Sequence, residues 1–65
     1  MSGFRILVVD DEPLALEMVA TILRRAPDVE SVIECRDARI APDLLTQHQP
    51  HVVFLDIEMP AMDGL

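Results

Sequence analysis

At 65 residues the chain sits at the lower margin for a self-sufficient core, because a domain this small buries only about 60% of its unfolded surface. Its 12 acidic and 5 basic residues give a net charge of −7, the wrong sign for counterion-release binding to DNA or RNA. The lone Cys35 excludes an internal disulfide and reads as a small buried apolar residue, and the four-residue apolar run after Arg5 is too short for a signal peptide or membrane span, so a cytoplasmic location is expected.

Arg5–Val9 reads as a first strand of β-branched residues and leucine. Pro13 then opens a helix expected to run to about Ala26. Proline suits a first helical turn, Asp11 or Glu12 can cap it, and acids there suit the positive end of the helix dipole. Leu14, Ala15, Met18, Val19, Ile22 and Leu23 recur at helical spacing and predict one apolar face. Arg24 and Arg25 favour the last turn, and Pro27 stops it.

A second strand is expected over Glu30–Glu34, polar enough for a sheet edge. Ala41, Leu44 and Leu45 suggest the apolar face of a second helix, with Pro42 in its first turn and its end near His48. Pro50 leads into a third strand, Val52–Leu55. The tail from Asp56 to Leu65 reads as a loop, since Pro60 forbids a continued strand and Asp63-Gly64 is a turn or cap signal.

The order β-α-β-α-β, with right-handed crossovers, predicts an α/β doubly wound parallel sheet with the first strand central and strand order 2-1-3. Of the 51% hydrophobic composition, much lies in two runs, Ile6–Val9 and Val52–Leu55. Such runs belong to strands covered on both faces, which so short a chain is not expected to provide alone. The sequence therefore reads as part of a larger domain.

In an open α/β sheet, sites form beyond the carboxyl ends of the strands, where strand order reverses. The first strand runs directly into Asp10-Asp11-Glu12 and the third into Asp56, so neighbouring strands bring three carboxylates to one edge. Like charges that close require a cation between them or a neutralised member. Mg²⁺ fits best, with Mn²⁺ as the alternative ion, because it uses few carboxylates, keeps waters and takes a phosphate oxygen. An aspartate beside such an ion can attack phosphorus. An Asp-Asp pair alone would read equally as a solvated helix cap; Asp56 at the matching strand end distinguishes the two readings.

Arg5-Ile-Leu-Val-Val-Asp-Asp-Glu-Pro13 and Val52-Val-Phe-Leu-Asp-Ile-Glu-Met-Pro60, followed by Met62-Asp-Gly64, resemble the receiver domain of bacterial two-component response regulators. The resemblance spans the chain, as about the N-terminal half of such a domain. It implies a partial flavodoxin-like fold that breaks off in the loop after the third strand, without the last two strands and last three helices. It also implies Asp56 as phosphoacceptor, with Asp10, Asp11, Asp56 and the backbone carbonyl of Glu58 as metal ligands, Asp11 directly and Asp10 largely through water. The implied partners are a sensor histidine kinase or phosphotransfer protein and an output domain outside this chain. Asp11-Glu-Pro-Leu-Ala15 is similar to regulators with a LytTR-type DNA-binding output. Ala38 and Pro42 depart from the family pattern and bear on the path of the second helix, and Ala61 stands where glycine is common. The family's Ser/Thr after the fourth strand and Lys after the fifth do not occur in these residues, which predicts weak phosphoacceptance.

Glu12 reads as a helix-start acid that could also tune metal access, and Glu58 as an exposed side chain beside the site. His48 and His51 fall at a helix-to-strand turn on the opposite edge from the acids, and Met18, Met59 and Met62 read as packing residues. Two other functions compete. A haloacid-dehalogenase-type hydrolase also uses an aspartate after an apolar strand, but Asp56-Ile-Glu-Met-Pro60 mismatches its Asp-x-Asp-x-Thr/Val pattern and leaves Asp10-Asp11 unexplained. A non-catalytic fragment would instead associate, as a homodimer, through an exposed third-strand edge.

Overall fold

The computed structural model describes residues 3–56. Three strands and two α-helices follow in order: β1 (Phe4–Asp10), α1 (Pro13–Arg24), β2 (Val29–Cys35), α2 (Ala41–His48) and β3 (Val52–Asp56). The three strands form one parallel sheet in the order β2-β1-β3, so β1 is central as expected. This is a partial flavodoxin-like α/β fold. Each strand extends slightly past its sequence reading. At β1 and β3 the extension matters, because it brings Asp10 and Asp56 into the sheet ladder.

Alternation along β1 divides the core in two. Ile6 and Val8 join Leu16, Ala20 and Val32 on the α1 side, with Val19, Leu23 and Val29 packed around them. Leu7 and Val9 join Cys35 on the other, against Ile33, Ala41 and Leu44. The helices therefore cover opposite faces of the sheet, as doubly wound topology requires. Each fully buried aliphatic side chain contributes about 1.5–3 kcal/mol by leaving water. Cys35, 1% exposed, is the buried apolar residue anticipated.

The α1 face differs from the one expected. Leu16 and Ala20 are the buried residues, whereas Leu14, Met18 and Ile22 are 73%, 63% and 60% exposed. The helix packs over β1 and β2. At about 100° per residue, Leu16, Val19, Ala20 and Leu23 share the sheet-facing sector, and Leu14, Met18 and Ile22 fall roughly opposite. Periodicity failed here because α1 is apolar on more than one side. The helix also ends at Arg24, earlier than Ala26. Arg25 and Ala26 donate to the carbonyls of Ile22 and Leu23, tightening the last turn to 3₁₀ spacing before Pro27.

A 3₁₀ turn, Ala38–Ile40, precedes α2 and resolves the path around Ala38 and Pro42. Asp37 caps this turn through the Arg39 N–H at 2.9 Å, and Pro42 falls in the first turn of α2, where it costs no helical hydrogen bond. Leu45, expected on the buried face, is 41% exposed. α2 ends on Gln49 in the left-handed conformation (φ 48°). There the Arg5 guanidinium donates to the carbonyls of His48 and Gln49 at 3.2 and 2.9 Å. The backbone N–H of Arg5 donates to His51 Nδ1 at 3.0 Å, so His51 ties the start of β1 to the approach to β3. Both histidines thus serve the end of the sheet away from the acids.

So short a chain is not expected to cover β3 on both faces. Among the described residues it is exposed along its whole length, because neither helix packs over it. On the outer strand β2, by contrast, Arg24 donates to the Val32 carbonyl at 3.1 Å and pairs with Glu34 at 2.8 Å.

Candidate functional site

The carboxyl ends of β1 and β3 meet as the sequence implied. Asp10 and Asp56 are register partners in the β1–β3 ladder, on strands spaced about 4.8 Å apart. Their surroundings differ. Asp10 is 5% exposed, and its Oδ1 accepts the backbone N–H of Glu12 at 3.0 Å; Asp56 and Asp11 lie at the surface. The turn that carries Asp11 is held from α1, where Glu12 is the N-cap and its Oε1 accepts the Leu14 N–H at 2.9 Å. Pro13 supplies no N–H, so Leu14 is the first donor that needs a partner.

Asp11 and Asp56 line one small pocket, of about 70 Å³, with Val9 and Ala38. Ala38 was read as bearing on the course of the second helix, not on a site. Its place in the wall follows from topology: β2 flanks β1, so the turn after β2 comes to the same sheet edge. Next to it, Arg39 grips Asp37 through contacts of 2.8–3.2 Å and holds the Asp37 carboxyl at about 2, well below its ordinary value. The side-chain hydrogen bonds dominate that shift, with the Arg39 N–H second. Arg39 is thereby committed to the turn. All five basic residues of the sequence are arginines.

The pocket is acidic, open to solvent and large enough for an ion with some of its waters. Among the described residues no three His, Cys, Asp or Glu side chains converge as a ready-made metal cage. Two carboxylates on one pocket, with a third at the adjoining strand end, fit a hard hydrated cation such as Mg²⁺, which binds through one or two carboxylates and keeps waters. Asp10 is not among the residues lining this pocket, and its Oδ1 is engaged by the Glu12 N–H. Glu58, whose carbonyl was the fourth expected ligand, lies outside the described residues, as do Met59, Ala61, Met62 and the Asp63-Gly64 turn.

A parallel 2-1-3 sheet with paired aspartates at its carboxyl edge defines a class, and sequence comparison agrees with it. The response regulator receiver domain family matches residues 6–65, and the chain belongs to that family. Among characterised proteins it is similar to the protein-glutamate methylesterase/protein-glutamine glutaminase of Yersinia pestis, at 43% identity over all of this chain and 19% of the relative. Similar proteins occur in Pectobacterium atrosepticum, at 43% over the same shares, and in Bordetella avium, at 42% over all of this chain and 18% of the relative. The chain thus spans about a fifth of the length of these relatives. Their names describe enzymes, so they give no support to the LytTR-type DNA-binding output suggested by Asp11–Ala15. No described helix is long and apolar enough to cross a membrane.

Proposed function

We propose that this chain is the phosphoacceptor module of a two-component relay and that Asp56 receives the phosphoryl group. The observation that carries this reading is the register pairing of Asp10 with Asp56, which sets a buried acid beside an accessible nucleophile at the edge of the sheet. An Asp56 carboxylate oxygen attacks the phosphorus of a phosphohistidine on a sensor kinase or phosphotransfer protein. The P–N bond breaks as the P–O bond of an acyl phosphate forms, and the imidazole leaves and takes up a proton. Asp10, Asp11 and Asp56, with the Glu58 carbonyl, would hold Mg²⁺ or Mn²⁺. When bound, the ion neutralises charge on the transferring group. The exposed position of Asp56 lets a donor approach, and the Glu12 N–H holds the Asp10 carboxylate in place beside it.

We further propose, from the 42–43% identity to the methylesterase/glutaminase relatives, that the module regulates an enzyme of that type in the cytoplasm instead of a DNA-binding domain. In that arrangement the module is regulatory and the ester or amide chemistry belongs to the output. Acyl phosphate at Asp56 would shift a surface between two states that the output senses. The test is incubation with Mg²⁺ and acetyl phosphate, followed by intact mass. A gain of one phosphoryl group that Asp56→Asn abolishes supports the reading; an equal gain in both proteins overturns it.

A second reading rests on β3. Its five residues are exposed, while Arg24 and Glu34 occupy the β2 side. Such an edge pairs readily with another strand, and we propose that it is where a second copy of this chain associates. Sedimentation as a dimer that Phe54→Lys dissociates supports it; a monomer at high concentration contradicts it.

A further inference from the structure

The turn between β1 and α1 is organised by one residue. Glu12 has extended backbone (φ −96°, ψ 111°) and makes three hydrogen bonds. Its N–H donates to Asp10 Oδ1 at 3.0 Å, its carbonyl accepts the Leu16 N–H at 3.0 Å, and its Oε1 accepts the Leu14 N–H at 2.9 Å. The last of these directs the Glu12 carboxylate onto the helix. Asp10 is more than nine-tenths buried, and only one of its oxygens has a hydrogen-bond partner among the described residues.

We propose that Glu12 is a positioning residue for the ion site, fixing the Asp10 carboxylate by holding its Oδ1 at the Glu12 N–H. This rests on the metal reading given above and assigns the residue that orients one of its acids. The physical argument concerns rotation. An aspartate with both oxygens free turns about χ2 and presents either one, losing that freedom whenever an ion or its water is bound. With Oδ1 tied to a backbone N–H, that freedom is already lost. The N–H stays in place because the same residue's side chain caps the helix and its carbonyl starts the helical ladder. The Glu12 charge is not what the role requires. A carboxylate engaged at Leu14 serves here as a hydrogen-bond acceptor, and any good N-cap acceptor in its place serves equally.

The test is titration of the chain with MgCl₂ alone, followed through the Asp10 carboxyl carbon and the Asp11 amide by NMR. Glu12→Ala removes the cap, Glu12→Ser replaces it with a neutral one, and Glu12→Gln keeps the acceptor without the charge. Loss of a group that orients a metal ligand typically weakens affinity by about tenfold or more. Glu12→Ala is expected to show a loss of about tenfold, with Ser and Gln restoring affinity to within about twofold of the parent. A merely structural cap would change stability without moving the Asp10 carbon resonance or the Mg²⁺ affinity. Unchanged affinity in Glu12→Ala, or an equal loss in all three variants (which would make the charge responsible), overturns the positioning role. Failure of the parent chain to bind Mg²⁺ at any concentration would instead overturn the metal reading beneath it.

Discussion

Asp10 and Asp56 end adjacent parallel strands at the same register position, yet Asp10 is 5% exposed and Asp56 stands in the open. One acid is thereby enclosed at its strand end and the other accessible. Asp10→Asn separates charge from geometry, because its amide oxygen can still accept the Glu12 N–H. The variant is expected to melt no lower than the parent in the absence of Mg²⁺. Ligand binding stabilises by mass action, so the parent should melt higher as Mg²⁺ is added and the variant should lose that rise. Calorimetry with and without MgCl₂ measures both.

The exposed flank of α1 leads to a contrast between neighbours. Leu16 is 2% exposed within the α1-side core, whereas Met18 is 63% exposed. Leu16→Ala should cost about 2–5 kcal/mol from lost burial and the cavity it leaves. Met18→Ala should stay within about 0.5 kcal/mol. Urea denaturation of both variants decides whether the sheet-facing sector is the one described. A larger loss for Met18 would place the helix in the orientation that its periodicity alone suggested.

Asp37 provides a pH-dependent marker of the turn that holds Ala38 in the pocket wall. Its carboxyl is lowered from 3.8 to about 2, chiefly by the Arg39 side chain and then by the Arg39 N–H. The folded value lies below the unfolded one, so the stabilisation is fully present above 3.8 and is lost as pH falls through about 2. Arg39→Ala should move the Asp37 carboxyl back toward 3.8. Carbon-detected NMR titration of the aspartates reads the change.

Much of this arrangement was legible in the residues because apolar runs, prolines and acids obey local rules. Val9-Asp10 and Leu55-Asp56 mark strand ends whatever surrounds them, and the β-α-β-α-β order then fixes which ends are neighbours. Pro13 and Glu12 likewise announced the start of α1. What escaped the sequence depends on contacts between distant segments. No pattern in Leu14–Leu23 says which apolar sector meets the sheet, since that is settled by β1 and β2 lying beneath the helix. Ala38 entered the pocket through topology, and Arg5 found the end of α2 only after the strands had aligned. The orientation of Asp10 depends on the Glu12 N–H, a backbone group whose direction depends on the turn.

The central claim is that Asp56, and no other acid at this edge, carries the phosphoryl group. Borohydride reduction converts an aspartyl phosphate to homoserine, so treating the chain with acetyl phosphate and Mg²⁺, reducing it and sequencing its peptides by mass spectrometry locates the modified residue. Homoserine at position 56, dependent on Mg²⁺ and absent without acetyl phosphate, is the expected result. Homoserine at position 10 or 11 with position 56 unmodified would contradict it.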